Sequence, residues 1–167
     1  NPMAALVGFM RPLVDGMDVA SAGELKLALD AGADPLSIGF AGPGKRAAEL
    51  RQAVASGVLL HVESERELQL LAKAAQDLGM PARVALRINP DFELRGAGMH
   101  MGGGAKPFGI DAEQVPAMLR SMHQDGVVFE GFHAYPGSQN LRGEVIAESL
   151  RRSVDLVLRL AQDAPAP

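Results

Sequence analysis

One pattern repeats along this chain: a short apolar run, a polar or glycine-rich turn, then a helical stretch that stops at a glycine. Residues 17–20 read as a strand, with a helix over 23–29 that stops near Gly32. The second unit is a strand over 36–40 and a helix over 45–55 closed by Gly57. A third runs over 58–62 and 65–78 to Gly79, and a fourth over 83–88 and 112–124 to Gly126. The last comprises a strand over 127–135 and a long helix over 141–161. Glycine after a helix suits the left-handed C-cap, which other residues adopt at a cost. Ser64 ahead of Glu65 and Glu67 has the makings of an N-cap with acidic residues in the first turn. Strands and helices alternating at this spacing imply right-handed crossovers and a parallel sheet.

Such a sheet is either open or closed into a barrel, and the polar residues favour the barrel. They gather at the C-terminal ends of the strands: Asp18 and Ser21, His61 and Glu63, Arg87 and Asn89, His133 and Tyr135. A spacing of two puts each later pair on one face, so several strand ends converge on one mouth, where barrel enzymes keep their chemistry. A closed barrel has eight strands and typically ~250 residues. The 167 residues here hold five units. The expected fold class is therefore α/β, a partial TIM-like (β/α)8 barrel of about five βα units, with residues 1–167 as a single incomplete domain.

Composition narrows the function classes. Hydrophobic residues make up 47% of the chain, without Trp and with one Tyr, which fits strands under Ala/Leu-rich helices. A formal net charge of −4 offers no basic surface for nucleic acid. Cysteine is absent, which rules out disulfides and thiolate metal sites. No stretch approaches the roughly 18 apolar residues of a membrane span, and a cytoplasmic location is the default expectation. The start at Asn1-Pro2 without Met and the linker-like end at Ala164-Pro165-Ala166-Pro167 read as a trimmed polypeptide.

Several motifs could carry chemistry. Gly39-Phe40-Ala41-Gly42-Pro43-Gly44-Lys45 has the spacing of a phosphate-binding loop, but Arg46 stands where Ser or Thr would hold Mg²⁺ and Pro43 removes a donor. It reads better as a turn entering a helix and lining an anionic site. His61, His100, His123 and His133 show no local metal-ligand spacing, so no metal is expected. His100 lies in a glycine-rich segment over 96–104, either packing or a loop over the site. In Gly131-Phe132-His133-Ala134-Tyr135-Pro136-Gly137-Ser138-Gln139, a strand enters a turn whose Gly137 and Ser138 can donate to a phosphate, with His133 and Tyr135 just beneath. A core Tyr and a turn-forming Ser explain the same residues. Arg87 is costly inside a strand without a partner, either an anion or ligand, or a salt bridge such as one to Asp18.

These stretches also carry a resemblance. Met17-Asp18-Val19-Ala20-Ser21-Ala22-Gly23-Glu24-Leu25, Ala41-Gly42-Pro43-Gly44-Lys45, Val62-Glu63-Ser64, Arg87-Ile88-Asn89-Pro90-Asp91, Phe108-Gly109-Ile110 and Gly137-Ser138-Gln139 occur in one order. Together they resemble the barrel domain of the fold-type III pyridoxal-phosphate decarboxylases, the diaminopimelate, ornithine and arginine decarboxylase group. Phe40-Ala41-Gly42-Pro43-Gly44-Lys45-Arg46, the Gly- and Met-rich loop from Gly98 to Gly104 and Gly137-Ser138-Gln139-Asn140-Leu141 are most similar to a subgroup associated with exosortase and exopolysaccharide gene clusters, which resembles decarboxylases of carrier-tethered glutamate.

The resemblance implies a carboxy-lyase with pyridoxal 5'-phosphate as its cofactor, a small or carrier-tethered amino acid as substrate, and a homodimer. It implies that Asp18 tunes the cofactor's lysine, that Arg87 lies near the ring, and that Gly137 and Ser138 bind the phosphate. Tyr135 stands where these enzymes usually stack a His on the ring, and His133 is placed to compensate in part. The resemblance numbers the five units as strands two to six of the barrel. The family's Schiff-base lysine would precede Asn1-Pro2, its later phosphate loop would follow Pro167, and its C-terminal β-domain is not in these residues. The chain alone is then expected to be inactive and, with two open barrel edges, to associate. A racemase on the same barrel and a non-catalytic, partner-binding homologue are the alternatives.

Overall fold

The computed structural model describes residues 3–92, 99–100, 107–122, 125–138 and 140–163. A helix not foreseen from the sequence comes first, α1 (Ala4–Met10), followed by a 3₁₀ turn over Arg11–Leu13. Then come β1 (Met17–Val19), α2 (Ala22–Asp30), β2 (Ile38–Phe40), α3 (Ala47–Ser56), β3 (Leu59–Val62), α4 (Glu65–Leu78) and β4 (Ala82–Asn89). Two short strands, β5 (Met99–His100) and β6 (Ile110–Asp111), precede α5 (Val115–Ser121). The described residues end with β7 (Val127–Ala134), β8 (Gly137–Ser138) and α6 (Gly143–Leu160).

The strands of the five units form the parallel sheet anticipated from the repeat, in the order β1-β2-β3-β4 with β7 beside β4. Ile88 of β4 is in register with Ala134 of β7 and with Ile110 of β6, so β6 lies on the flank of β4 that β3 occupies lower down. Gly32, Gly57 and Gly79 have left-handed backbone (φ 79°, 72° and 62°) at the ends of α2, α3 and α4, as expected. Gly126 (φ 84°), by contrast, lies beyond α5, which is shorter than the expected 112–124 and has Met122 as its C-cap. Ser64 Oγ accepts from the Glu67 amide at 3.2 Å, which is the expected N-cap of α4. The second strand is shorter than expected, because Pro35–Ser37 forms a 3₁₀ turn capped by Asp34.

The two faces of this sheet differ in chemistry. Ile38, Phe40, Leu60, Val62, Val84, Leu86 and Ile88 belong to one continuous core with Leu25, Leu50, Leu68, Leu71 and Leu119 of the helices. Burial of each such side chain favours folding by roughly 1.5–3 kcal/mol. The intervening residues point to the other face, the barrel interior. In β7 the alternation would fail without a bulge. The register shifts between Val84 and Ala85 of β4, where Val84 faces Phe129 and Ala85 faces Gly131, which leaves Glu130 as the extra residue. Phe129 and Phe132 therefore both reach the core, and His133 turns inward. Glu130 is fixed by a two-pronged pair with Arg83 at 2.6 and 2.9 Å.

At the far ends the surface is apolar. In α6, Ile146, Leu150, Val154 and Leu158 are four residues apart and 44–62% exposed, while Leu156 and Leu160 are buried. Among the described residues β1 pairs only with β2, and β7 only with β4.

Candidate active site

The interior face is built of small residues alternating with polar ones. Gly39 in β2, Ala85 in β4 and Gly131 in β7 are the small residues, and Gly39 leaves room for the ring of His61. The two rings stack at 4.1 Å between centroids and 18° between planes. A side chain at position 39 has no space: its Cβ would lie 2.4 Å from Asp18 Oδ1 and 2.9 Å from His61 Cε1. Asp18 and His61 thus close over the bare backbone of Gly39. His133 is in register with Arg87 on the neighbouring strand.

A chain of four buried charges gathers around the C-terminal ends of β3 and β4. Arg87 Nη1 donates to Glu63 Oε1 at 3.0 Å, and its guanidinium carbon lies 5.2 Å from the centre of the Phe108 ring. Glu63 Oε1 also accepts from the Gly42 amide at 2.5 Å, and Oε2 from the Gly109 amide at 3.0 Å. Lys45 Nζ lies 2.5 Å from Glu67 Oε1 and 3.9 Å from Glu63 Oε1, and donates to the carbonyls of Gly42 and His61 at 2.7 and 2.9 Å. Glu67 Oε2 in turn accepts from the Glu63 amide at 2.8 Å. Two cations and two carboxylates balance, so none is left as an uncompensated buried charge.

Burial dominates the titration of these groups. It pushes His61 down to about 3, with the fields of His133, Lys45 and Arg87 adding to the effect. Burial and Arg87 push His133 down as well, against the smaller opposing pull of Asp18 and Glu63. Glu67 is raised by burial, with Lys45 opposing. Both imidazoles are therefore neutral at neutral pH, and the Nδ1 atoms of both are buried without a hydrogen-bond partner among the described residues.

A pH dependence follows. The unfolded chain binds protons at the ordinary histidine value of 6.5, whereas folded His61 refuses them until about 3. The stability that neutral His61 contributes is complete above 6.5 and is lost as pH falls through that window, at up to about 1.4 kcal/mol per pH unit. Denaturant midpoints measured from pH 7 to pH 4 should fall more steeply for the native chain than for His61→Asn. Parallel curves would refute the assignment.

The sequence-predicted residues come together only in part. Asp18, His61, Arg87 and His133 share the interior face. Arg87 pairs with Glu63, not with Asp18, because Glu63 stands at the end of the adjacent strand. Tyr135, 36% exposed just past β7, makes no ring contact among the described residues. Gly137 and Ser138 are not a free turn. They pair antiparallel with His100 and Met99, a partner that sequence order places far away. The rest of the 96–104 segment, the His100 and Ser138 side chains, and His123 lie outside the described residues. Lys45 does not offer its amine to a phosphate, since four oxygens already hold it.

Residues 1–164 match the family described as pyridoxal-dependent decarboxylase, pyridoxal binding domain. The chain belongs to this family. It is 41% identical over 143 residues (84% of the chain, 33% of the relative) to the L-glutamyl-[BtrI acyl-carrier protein] decarboxylase of Niallia circulans. It is 34% identical over 165 residues to the diaminopimelate decarboxylase of Pseudomonas aeruginosa, covering 96% of the chain and 40% of the relative. The crystal structure of diaminopimelate decarboxylase from Helicobacter pylori complexed with L-lysine superposes with a TM-score of 0.87 at 30% identity, over 97% of this chain and 42% of that one. The chain thus spans a third to two-fifths of the length of these relatives. It is homologous to part of the pyridoxal-binding barrel, and pyridoxal 5'-phosphate is the cofactor of the family.

Glu63, Lys45, His61 and Phe108 have no role assigned from the sequence, although His61 and Glu63 read as strand-end residues facing the barrel mouth. A signal was present for Glu63: it lies two residues beyond His61 on the same face and four before Glu67.

Proposed function

We propose that this chain is the central part of the cofactor-binding barrel of an amino-acid decarboxylase, which removes an α-carboxylate as CO₂. The observation that carries this reading is Arg87, held rigidly on the interior face in register with His133. A buried face with two unpartnered ring nitrogens suits a flat, polar heterocycle. The residues present therefore fit the family's cofactor. When bound, pyridoxal 5'-phosphate supplies an electron sink for the carbon that loses CO₂.

The chain's own residues bind and orient. Arg87 would border the ring, and Gly137 and Ser138 would hold the phosphate. Asp18 would sit beside the lysine that anchors the cofactor. His133, neutral because buried, would present a hydrogen-bonding edge under the ring, and Tyr135 would cover it where relatives use a histidine. The relative from Niallia circulans is named for a carrier-bound glutamyl group, which supports a carrier-tethered amino acid as the substrate here. A role in exopolysaccharide biosynthesis rests on the sequence resemblance alone. No helix among the described residues is long and apolar enough to cross a membrane. We place the enzyme in the cytoplasm as a homodimer.

The test uses the complete gene product. Incubation with pyridoxal 5'-phosphate followed by borohydride reduction should leave one labelled lysine, and CO₂ should be released from an aminoacyl carrier protein or a free amino acid. Arg87→Ala should weaken cofactor binding at least about tenfold, about 1.4 kcal/mol. The absence of a labelled lysine would overturn the reading. Stereoinversion without CO₂ release would move it to a racemase, the outcome that the Tyr135 exchange makes worth measuring.

A further inference from the structure

Glu63 is the most heavily used side chain on the interior face. Its carboxylate collects the Arg87 guanidinium at 3.0 Å, the Gly42 amide at 2.5 Å and the Gly109 amide at 3.0 Å, with Lys45 Nζ at 3.9 Å. The side chain is 2% exposed and that of Arg87 is 8%. Phe108 covers the guanidinium from a further side, with its ring centre 5.2 Å from the guanidinium carbon. The arginine is thus closed from two directions, by a carboxylate and by an aromatic ring. We propose that Glu63 is a positioning residue that keeps the Arg87 charge neutralised, so that Arg87 meets a flat ring and does not capture an anion.

This rests on the decarboxylase reading, and the chemistry of that reaction gives it a purpose. A carboxylate that must leave as CO₂ carries its negative charge in the ground state and gives it up to the carbon left behind. A bare guanidinium within reach would bind the carboxylate more tightly before reaction than during it, which slows the step. It would equally trap phosphate. The paired arginine keeps its shape and its hydrogen bonds while its charge is cancelled at 3.0 Å. Lys45 is prevented from becoming a second trap in the same way, by Glu67 at 2.5 Å.

The variant is Glu63→Gln, which preserves size and removes charge, measured in the complete gene product with inorganic phosphate and acetate as probes. Phosphate should raise the thermal midpoint of Glu63→Gln at concentrations about tenfold below those that affect the native protein. Glu63→Asp, which retains the charge, should respond as the native protein does. In turnover, Glu63→Gln should lower kcat and lower KM together, a split that loss of packing alone does not produce. A folded Glu63→Gln as indifferent to phosphate as the native protein overturns the proposal. Should Glu63→Gln not fold, Glu63→Gln/Arg87→Gln decides. Recovery shows that the lone arginine charge was at fault and supports the closed pair, whereas continued failure shows that Glu63 serves the Gly42 and Gly109 segments alone and overturns it. The phosphate readout needs neither cofactor nor turnover, so it can fail or succeed independently of the decarboxylase assignment.

Discussion

Replacement of Lys45 by methionine is expected to lower folding stability by about 3–5 kcal/mol, the range for removing one partner from a buried ion pair. Methionine matches the length of the aliphatic stem but leaves Glu67 and Glu63 buried with only Arg87 to balance them. The carbonyls of Gly42 and His61 lose a donor at 2.7 and 2.9 Å in the same step. Burial already raises Glu67 and Lys45 opposes it, so without Lys45 the carboxyl goes higher still. A raised carboxyl pKa lessens stability as pH rises above the unfolded value, so the defect should shrink on acidification. Denaturant titrations at pH 7 and pH 5 measure both effects. Lys45→Met/Glu67→Gln should recover part of the loss, because neither side of the pair is then left charged. A loss below about 1 kcal/mol for Lys45→Met would mean that water reaches the network and that the pair behaves as an exposed one.

Lys45 also marks where the sequence stops being informative. The run Gly42-Pro43-Gly44-Lys45 resembles a phosphate loop, and Pro43 and Arg46 are reason enough to reject that reading. Nothing local, however, says where the lysine goes. Its partners are 18 and 22 residues onward, and only the parallel pairing of β2 with β3 brings them under it. The strand–helix repeat, by contrast, is most legible in its first three units, because each is punctuated locally by a glycine or a cap. Helices α5 and α6 have neither a side-chain cap nor a glycine C-cap. Gly57, Gly79 and Ser64 each end or begin a helix where the pattern puts them.

The interior face is half legible. Two-residue spacing puts His61 with Glu63 and Arg87 with Asn89 on one side correctly. For His133 the same rule gives the right face only because the bulge at Glu130 resets the alternation after Phe129, and no turn residue announces a bulge there except Gly131. The Gly137–Ser138 ladder with Met99–His100 is illegible for a different reason. Two-residue strands carry no periodicity, and their pairing is set by the surrounding barrel. Tertiary partners decide the fate of Arg87 as well: an acidic partner is foreseeable, but the adjacent strand supplies Glu63 and the more distant Asp18 does not serve.

Gly109→Ala should destabilise the protein by about 3 kcal/mol and loosen the site at the same time. Gly109 has φ +73°, a conformation that costs an L-residue roughly 1–2 kcal/mol by itself. The added methyl would lie 2.9 Å from the Asn89 amide nitrogen, 3.0 Å from the Arg87 carbonyl oxygen and 3.0 Å from the Ile88 carbonyl carbon. All three are backbone atoms of the central strand β4, which cannot rotate aside as a side chain would. Relief has to come from Gly109, which moves its amide away from Glu63 Oε2 and strains the pairing of Ile110 and Asp111 with Ile88 and Asn89. The 2.6 Å bond from Asn89 Nδ2 to Asp111 Oδ1 goes with them. Since the same carboxylate holds Arg87, affinity for pyridoxal 5'-phosphate should drop together with the thermal midpoint. Gly44→Ala is the matched control, because nothing lies within 4 Å of the position its Cβ would take. Equal midpoints and equal cofactor affinities for the two alanine variants would show that the Phe108-Gly109 segment does not bear on β4, and with it that Arg87 is held from one side only.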